Sequence, residues 1–540
     1  MHAIRGLRSP NEALFVPIAV HSPFFGAASG SGLHRSVFRP FFEDRQLGLS
    51  YPMSASAQSH YAYPADQPSV YSSFPSSFDL RDEGLVTSVK NQGSWGTCWA
   101  FATLAALERS LLVDGSSRVS ATDLSELHLA WFATTALDDT SRTGQSGEGN
   151  YSVLTPGSDK DQASLILNTG GTIDTAVAAL SSWSGAVSED AHPYSNVEED
   201  YTKGWALSQS KRFDSSVHLQ GASLLPGPAT FGDPANPSTD NYSYSQAGTD
   251  AIKRALMDDG AVTIAYCADV SRPNMDPDDP AYGKAAYFNY FTNAQYVNKY
   301  VTEDDPSTEE NDITTQNHSV AIVGWDDDFS ASNFVTEPPS DGAWIVKNSW
   351  GEDYYEDGYF YLSYYDMSIA VPASFDVDAQ GRDGSFSYDT NYQYDYLGMA
   401  GVAKLVPGAF GEVVSANEFV SEGAETFQAV SAVTTNPNSI VKVDVYLLDG
   451  DATAPTDGSL VSSSETAIEY GGYHTIELDT PVSLRAGQRF SVVETIEGYE
   501  GRYLPLEVAD VDHNDPDSDG SYMKAQIKHG VLSCRSALVA

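Results

Sequence analysis

A chain of 540 residues exceeds what one hydrophobic core supports, so two or three domains are expected. A formal charge of −45 excludes nucleic-acid binding as the main function, because phosphate contact needs a basic face, and it suits a soluble protein that works outside the cell. Three cysteines are too few for a disulfide framework, and no run reaches the ~20 apolar residues of a membrane-spanning helix.

Residues 1–74 hold five Arg against four acidic residues, so the negative charge is carried almost wholly by residues 75–540. Met1–Arg8 is basic and Ala13–Val20 is apolar, but Pro17 breaks the run, which makes a poor secretion signal. Residues 50–77 are rich in Ser, Tyr, Pro and Ala and read as an extended linker. The segment 1–74 is expected to be a leader, either a pro-segment or a signal, with its linker.

The next stretch, Asn91–Leu112, runs from a glycine-punctuated loop into a helix expected over 97–114, with Cys98 at the join. The positive end of a helix dipole favours a thiolate there. Gln92 lies close enough upstream to fold back beside the sulfur. Cys98 is thus a candidate nucleophile, with the Gln92 amide and its own backbone N–H as candidate oxyanion donors. A buried structural cysteine fits this stretch equally well. Ser120 and Asp123 have capping-box spacing for a second helix over 122–135. Residues 138–161 read as a loop, Gly170-Gly171 precedes a helix over 175–183, and 202–249 reads as surface loop. A short helix over 250–257 and a strand over 261–266 come next.

Residues 271–316 form a long acidic, Tyr-rich insertion that abuts His318 and is expected to overhang any cleft there. Its Asp276–Asp279 run reads as solvated surface, with calcium binding as the minor alternative. His318 opens a strand-like run, Ser319–Trp325, and Asn348 ends another, Ala343–Lys347. A thiolate needs a base for its proton, and the imidazole needs a third group to hold its tautomer. Past about Gly381 short alternating runs appear at 412–420, 427–434, 441–448, 474–478 and 490–495, separated by turn residues, which argues for a β-sandwich. Asp515, Asp517, Asp519 and Gly520 resemble the start of a calcium loop, but Gln526 stands where its bidentate Glu belongs, so a polar hairpin tip is preferred.

Three blocks, Asn91–Ala102, Asn317–Trp325 and Ala343–Gly351, resemble the active-site blocks of the papain family of cysteine peptidases, in the family's order of Cys, His and Asn. The resemblance implies an α+β fold: a papain-like catalytic domain of two subdomains, helical and β-barrel-like, followed by an all-β sandwich. It implies a cysteine endopeptidase with catalytic Cys98, His318, Asn348 and Gln92, and with Gly170, Gly171, Asn317 and Trp350 on the substrate side. In that reading the Gly171 backbone pairs with extended substrate, and Trp350 covers the Asn348–His318 bond. Leu124-Ser125-Glu126 resembles a family helix start. Trp95 stands where the family usually carries a disulfide cysteine, and is read as a structural plug. His192 falls in a Pro-Tyr turn and is not assigned to catalysis.

The block around Asn348, with DGYFYLSYYD after it, most resembles a bacterial branch that carries a C-terminal lectin-like domain. The expected division is a leader over 1–74, a peptidase domain over 75–372 and a lectin-like domain over 385–540. Expected partners are protein or peptide substrates and a glycan or cell-wall ligand. The protein is expected to be a monomer that needs no cofactor or metal, and its place is extracellular or at the cell surface. Three other readings fit the same motifs: an inactive peptidase-fold adhesin, an acyl transferase sharing the acyl-enzyme, and an exopeptidase.

Overall fold

The structure is a computed structural model that describes residues 73–113, 123–137, 166–194, 206–233, 237–301, 314–380, 385–393 and 412–497, with short strands at 20–21, 149–154, 401–404, 503–506, 521–526 and 536–539. The leader up to residue 72, apart from the strand at 20–21, lies outside the described residues, as do the Asp515–Gly520 run and Cys534.

In chain order the elements that matter are β1 (Ser77–Asp79), α1 (Cys98–Val113), α2 (Glu126–Ala133), α3 (Ile173–Ser181), β2 (Val217–Leu224), α4 (Gln246–Asp258), β3 (Val262–Tyr266), β4 (Phe288–Asn289), β5 (Ala294–Gln295), β6 (His318–Asp326), β7 (Ala343–Lys347), β8 (Tyr359–Ser363) and β9 (Ala370–Ala379). After these come β10 (Thr390–Gln393), β11 (Glu412–Val420), β12 (Glu425–Thr434), β13 (Ser439–Leu448), β14 (Gly458–Ile468), β15 (Gly471–Leu484), β16 (Arg489–Glu497) and β17 (Ser536–Val539).

The first half pairs a helical wall with a β wall. Helix α1 is buried nearly all round, between α2 and α3 on one side and β6 on the other, so its sequence shows little polar face. Strand β6 lies between α1 and α4, and eight of its nine residues are buried, which is why HSVAIVGWD reads as a continuous apolar run. Helix α2 starts later than its expected cap. Ser125, not Ser120, is the N-cap, and its side chain accepts from His128 N–H. The far end of α2 is held by Arg212, a buried guanidinium that donates to the carbonyls of Phe132, Thr135 and Ala136. Gly324 sits at a bulge where β1 crosses β6; an added Cβ would lie 2.3 Å from Phe78 O.

The second half is a sandwich. A four-stranded sheet in the order β11-β16-β13-β14 packs on β12 and β15 through Phe419, Phe427, Val443, Ile476 and Phe490. Strand β13 alternates buried and open residues along SIVKVDVYLL, as a strand with one face on a core must. Its partner β14 adds a strand beyond the five runs expected here.

The two halves share one sheet of thirteen strands. Its order is β10-β17-β12-β15-β2-β9-β3-β6-β7-β8-β5-β4, with β1 added on β6. Strand β2 falls within the 202–249 stretch expected to be surface loop, and corrects that reading. It is mostly buried, pairs with β9 along its length, and on its other edge takes Gly471–His474 of β15. Around this seam Trp183, His218 and Phe386 stack at ring separations of 3.7 and 3.8 Å. Arg254 on α4 pairs with Glu469 at 2.8 Å. Val433 and Tyr473 belong to the same apolar core as α1 and β6.

Cutting the chain after Gln380 would expose the open edge of β2 and strip these residues from the core. Residues 74–380 expressed alone are therefore expected to aggregate, while the full chain elutes as a discrete species by size exclusion.

Candidate active site

Cys98 is the first residue of α1, and Thr97 O accepts from Ala100 and Phe101 N–H at the helix start. His318 is the first residue of β6, and Asn348 directly follows β7. Because β6 and β7 are antiparallel neighbours, both side chains emerge at one end of the sheet. The fold brings the three together: Ser319 N–H, one residue past the imidazole, donates to Cys98 Sγ at 3.4 Å. His318 Nε2 lies 2.9 Å from Asn348 Oδ1, which also accepts from Ser349 N–H. The Trp350 indole stacks on the imidazole at 4.8 Å and 22°. Cys98 and His318 are fully buried and Asn348 is 3 % exposed, so water competes little for their bonds.

Gln92 is fully buried beside this group. Its Nε2 donates to Trp95 O at 2.8 Å, and its Oε1 accepts from Ser349 Oγ at 2.7 Å. Two partners on opposite sides of one amide fix its plane. The backbone does the same: Gln92 N–H donates to Ser349 O, Gly351 N–H donates to Lys90 O, and Asn91 and Trp350 form an antiparallel bridge. Trp95 is 6 % exposed and packs in the core around α1.

The remaining expected residues have definite local duties. Asn317 exchanges hydrogen bonds with Ala268 in both directions, at 2.8 and 3.2 Å, which ties the start of β6 to the segment leaving β3. Gly170 has φ +74°, and a Cβ on Gly171 would meet the Trp99 ring at 2.4 Å. The absence of a side chain at 171 is thus required by Trp99. His192 is stacked on His128 at 5.5 Å.

The motifs gave no sign of the charged layer beneath the site. Lys90 Nζ donates to Glu108 of α1, Glu126 of α2 and the Leu124 carbonyl at 2.7, 2.8 and 2.9 Å, and pairs with Asp123 at 2.7 Å. Glu108 also accepts from Thr87 Oγ1, which accepts from Lys347 Nζ at 2.9 Å. Burial opposes the Lys90 charge, but Glu126 and Glu108 outweigh it and hold its pKa above the ordinary lysine range. Burial pushes Glu126 up, as does the neighbouring Glu108, although Lys90 opposes them. Burial lowers Lys347. Glu189 is pushed up to about 8, by burial first and then by Glu126. Glu189 in turn accepts from Tyr194 N–H at 2.6 Å, and Tyr194 Oη meets Thr97 Oγ1 and donates to Gln92 O at 3.0 Å. The one available signal was composition: Lys90 and Lys347 are two of only 29 basic residues, each within two residues of a motif residue.

Residues 74–133 and 285–374 match a family described as papain family cysteine protease, and residues 391–526 match one described as lectin like domain. Cathepsin L of Sarcophaga peregrina is 24% identical over 296 residues, 55% of this chain and 61% of that protein. The probable cysteine protease RD19B of Arabidopsis thaliana is 26% identical over 287 residues, 53% and 57%. The chain thus spans about three fifths of the length of these curated relatives. The clostridial cysteine protease Cwp84, in a variant form after propeptide cleavage, superposes with a TM-score of 0.59 at 23% identity, covering 86% of this chain and 99% of that one. A second structure, of the cysteine protease and lectin-like domains of Cwp84, a surface layer associated protein of Clostridium difficile, gives 0.59 at 22% identity, covering 88% and 90%. At such identity the likeness establishes the fold: a papain-like domain followed by a lectin-like β domain.

Removing one partner of a buried ion cluster leaves the others uncompensated. Lys90→Met is expected to lower stability by about 3–5 kcal/mol, read as a lower urea midpoint by tryptophan fluorescence; an unchanged midpoint would mean that Glu108 and Glu126 are held without it.

Proposed function

Because the chain carries a papain-family cysteine protease domain followed by a lectin-like domain, we propose that it is a cysteine-type endopeptidase that hydrolyses peptide bonds of proteins. The observation that carries the reading is the 2.9 Å contact between His318 Nε2 and Asn348 Oδ1 under Trp350, with Cys98 Sγ accepting from Ser319 N–H. An imidazole that gives its Nε2 proton to Asn348 keeps Nδ1 as the base for the thiol.

In the reaction the proton of Cys98 passes to His318, and the resulting ion pair is favoured by the helix N-terminus and by mutual attraction. The thiolate attacks the scissile carbonyl carbon. Negative charge collects on the oxygen, where the Gln92 amide and the Cys98 N–H receive it. His318 returns its proton to the leaving amine as the C–N bond breaks. It then takes a proton from water, whose oxygen attacks the thioester and releases the acid and the free thiol. Asn348 holds the ring in plane, and Ser349 holds Gln92. Substrate lies extended along the cleft beside Gly170 and Gly171.

The peptidase unit is proposed to span 75–372 and the lectin-like unit 385–540. For the latter we propose a glycan or cell-wall polymer as ligand, and for the whole protein a place outside the cell at its surface. The acidic charge of −45 supports this, as does the surface-layer association of the similarly folded Cwp84. Among the described residues no helix is long and apolar enough to cross a membrane.

The test is covalent labelling with an epoxide that traps activated thiolates, located by mass spectrometry. One adduct on Cys98, lost in His318→Ala, is expected. Absence of labelling in the folded chain would instead favour an inactive peptidase-fold binding protein. Gln92→Ala is expected to slow peptide hydrolysis by roughly 10²–10³ while the protein stays folded.

A further inference from the structure

We propose that the insertion between β3 and β6 carries a platform, formed by Met275, Tyr282 and Phe291, that binds the polypeptide on the leaving-group side of the cut and selects a large apolar residue next to a basic one. The inference rests on the peptidase reading.

The insertion is rooted at the imidazole. Ala268, the second residue after β3, is doubly bonded to Asn317, the neighbour of His318. Asp269 then accepts from Tyr287 and Phe288 N–H at 2.6 and 3.1 Å, folding the insertion back on its own base. Phe288 packs on Tyr355 at 4.8 Å, Tyr355 on Trp350 at 6.0 Å, and Trp350 on His318. Strand β5 adds in parallel to β8, so Ala294 and Gln295 are pinned to the sheet as well. Residues 268–295 are therefore tied into the β wall.

This scaffold displays apolar surface instead of hiding it. Met275 is 70 % exposed, Phe291 66 % and Tyr282 37 %. Tyr282 and Phe291 lie 5.6 Å apart, and Asn274, next to Met275, bridges to Tyr282. Phe291 is seated on Gly283, whose φ is +74° and where a Cβ would lie 2.3 Å from the ring. The backbone thus makes room for an aromatic ring that faces solvent. Exposed Asp276, Asp278 and Asp279 edge the patch. Three apolar side chains within an acidic edge suit an apolar residue flanked by Lys or Arg.

Chemistry fixes the side. His318 protonates the leaving amine, so the segment C-terminal to the cut departs past the imidazole, toward the wall where the insertion is rooted.

The experiment compares two fluorogenic substrates with the full-length chain. One ends in a dye amine directly after the cut; the other continues through Phe-Lys to a quencher. For Phe291→Ser the ratio of kcat/KM, extended over short, is expected to fall roughly tenfold, the scale of one aromatic side chain losing its cover, and Phe291→Tyr should restore it. Neutralising Asp276, Asp278 and Asp279 to Asn should abolish the rise of KM with salt for the Lys-containing peptide. An unchanged ratio in Phe291→Ser, or an equal fall on both substrates, overturns the platform while leaving the peptidase reading in place. If the parent chain cleaves neither substrate and Cys98 takes no epoxide, the peptidase reading fails first, and the platform with it.

Discussion

The short antiparallel pairing of Lys90–Gln92 with Ser349–Gly351 holds the site together. It joins a loop of the helical wall to the end of a strand of the β wall, across 257 residues of sequence between Gln92 and Ser349. Every group in the proposed chemistry is placed by it or beside it. Gln92 receives Ser349 Oγ, Trp350 lies on His318, and the loop after Gln92 leads into Cys98. Beneath it Lys90 gathers carboxylates from α1 and α2, so the backbone pairing and the ion cluster pin one loop from two sides. Buried charges are expensive, and these persist because each finds several partners. Where the papain resemblance implies a disulfide beside Cys98, the loop is held by Trp95 packing and this polar layer.

The second organising feature is the shared sheet. A sandwich attached by a linker would need two finished cores and two protected edges. Here β2 removes an edge from each half by pairing on both sides, with β9 and with β15. The rings of Trp183, His218 and Phe386 and the Arg254–Glu469 pair fasten the same seam. The lectin-like half is thus fastened to Trp183, just past α3, and to α4 through direct contacts.

The described surface carries its large exposed apolar side chains in two places, the insertion and the four-stranded sheet. In the insertion they stand on a scaffold tied to the catalytic wall through Asn317 and the Tyr355–Phe288 ring contacts. Exposed apolar groups lower solubility, and a net charge of −45 offsets that tendency.

Features that depend on local pattern were legible from the residues. Cys98 at a loop-to-helix join, His318 before an apolar strand, Asn348 after another, and the alternation of β13 each follow from neighbours a few residues away. The order of the three blocks then implied the papain-like architecture and the β domain behind it. Features that depend on a distant partner emerged only with the folded chain. VHLQGASL has no clean alternation and looked like loop, because its two neighbours, β9 and β15, lie far along the chain. The N-cap of α2 moved from Ser120 to Ser125 because the Lys90 cluster fixes where Leu124 and Glu126 must sit. Gly171 was read as kept small for a ligand, and the folded chain shows a further reason for glycine there: a Cβ would meet the ring of Trp99, the residue after Cys98. Lys90 and Lys347 were marked only by the scarcity of basic residues, and Glu108 and Glu126 by nothing in their charge, since a charge is ordinarily solvated; only their burial in one place makes them a structural unit.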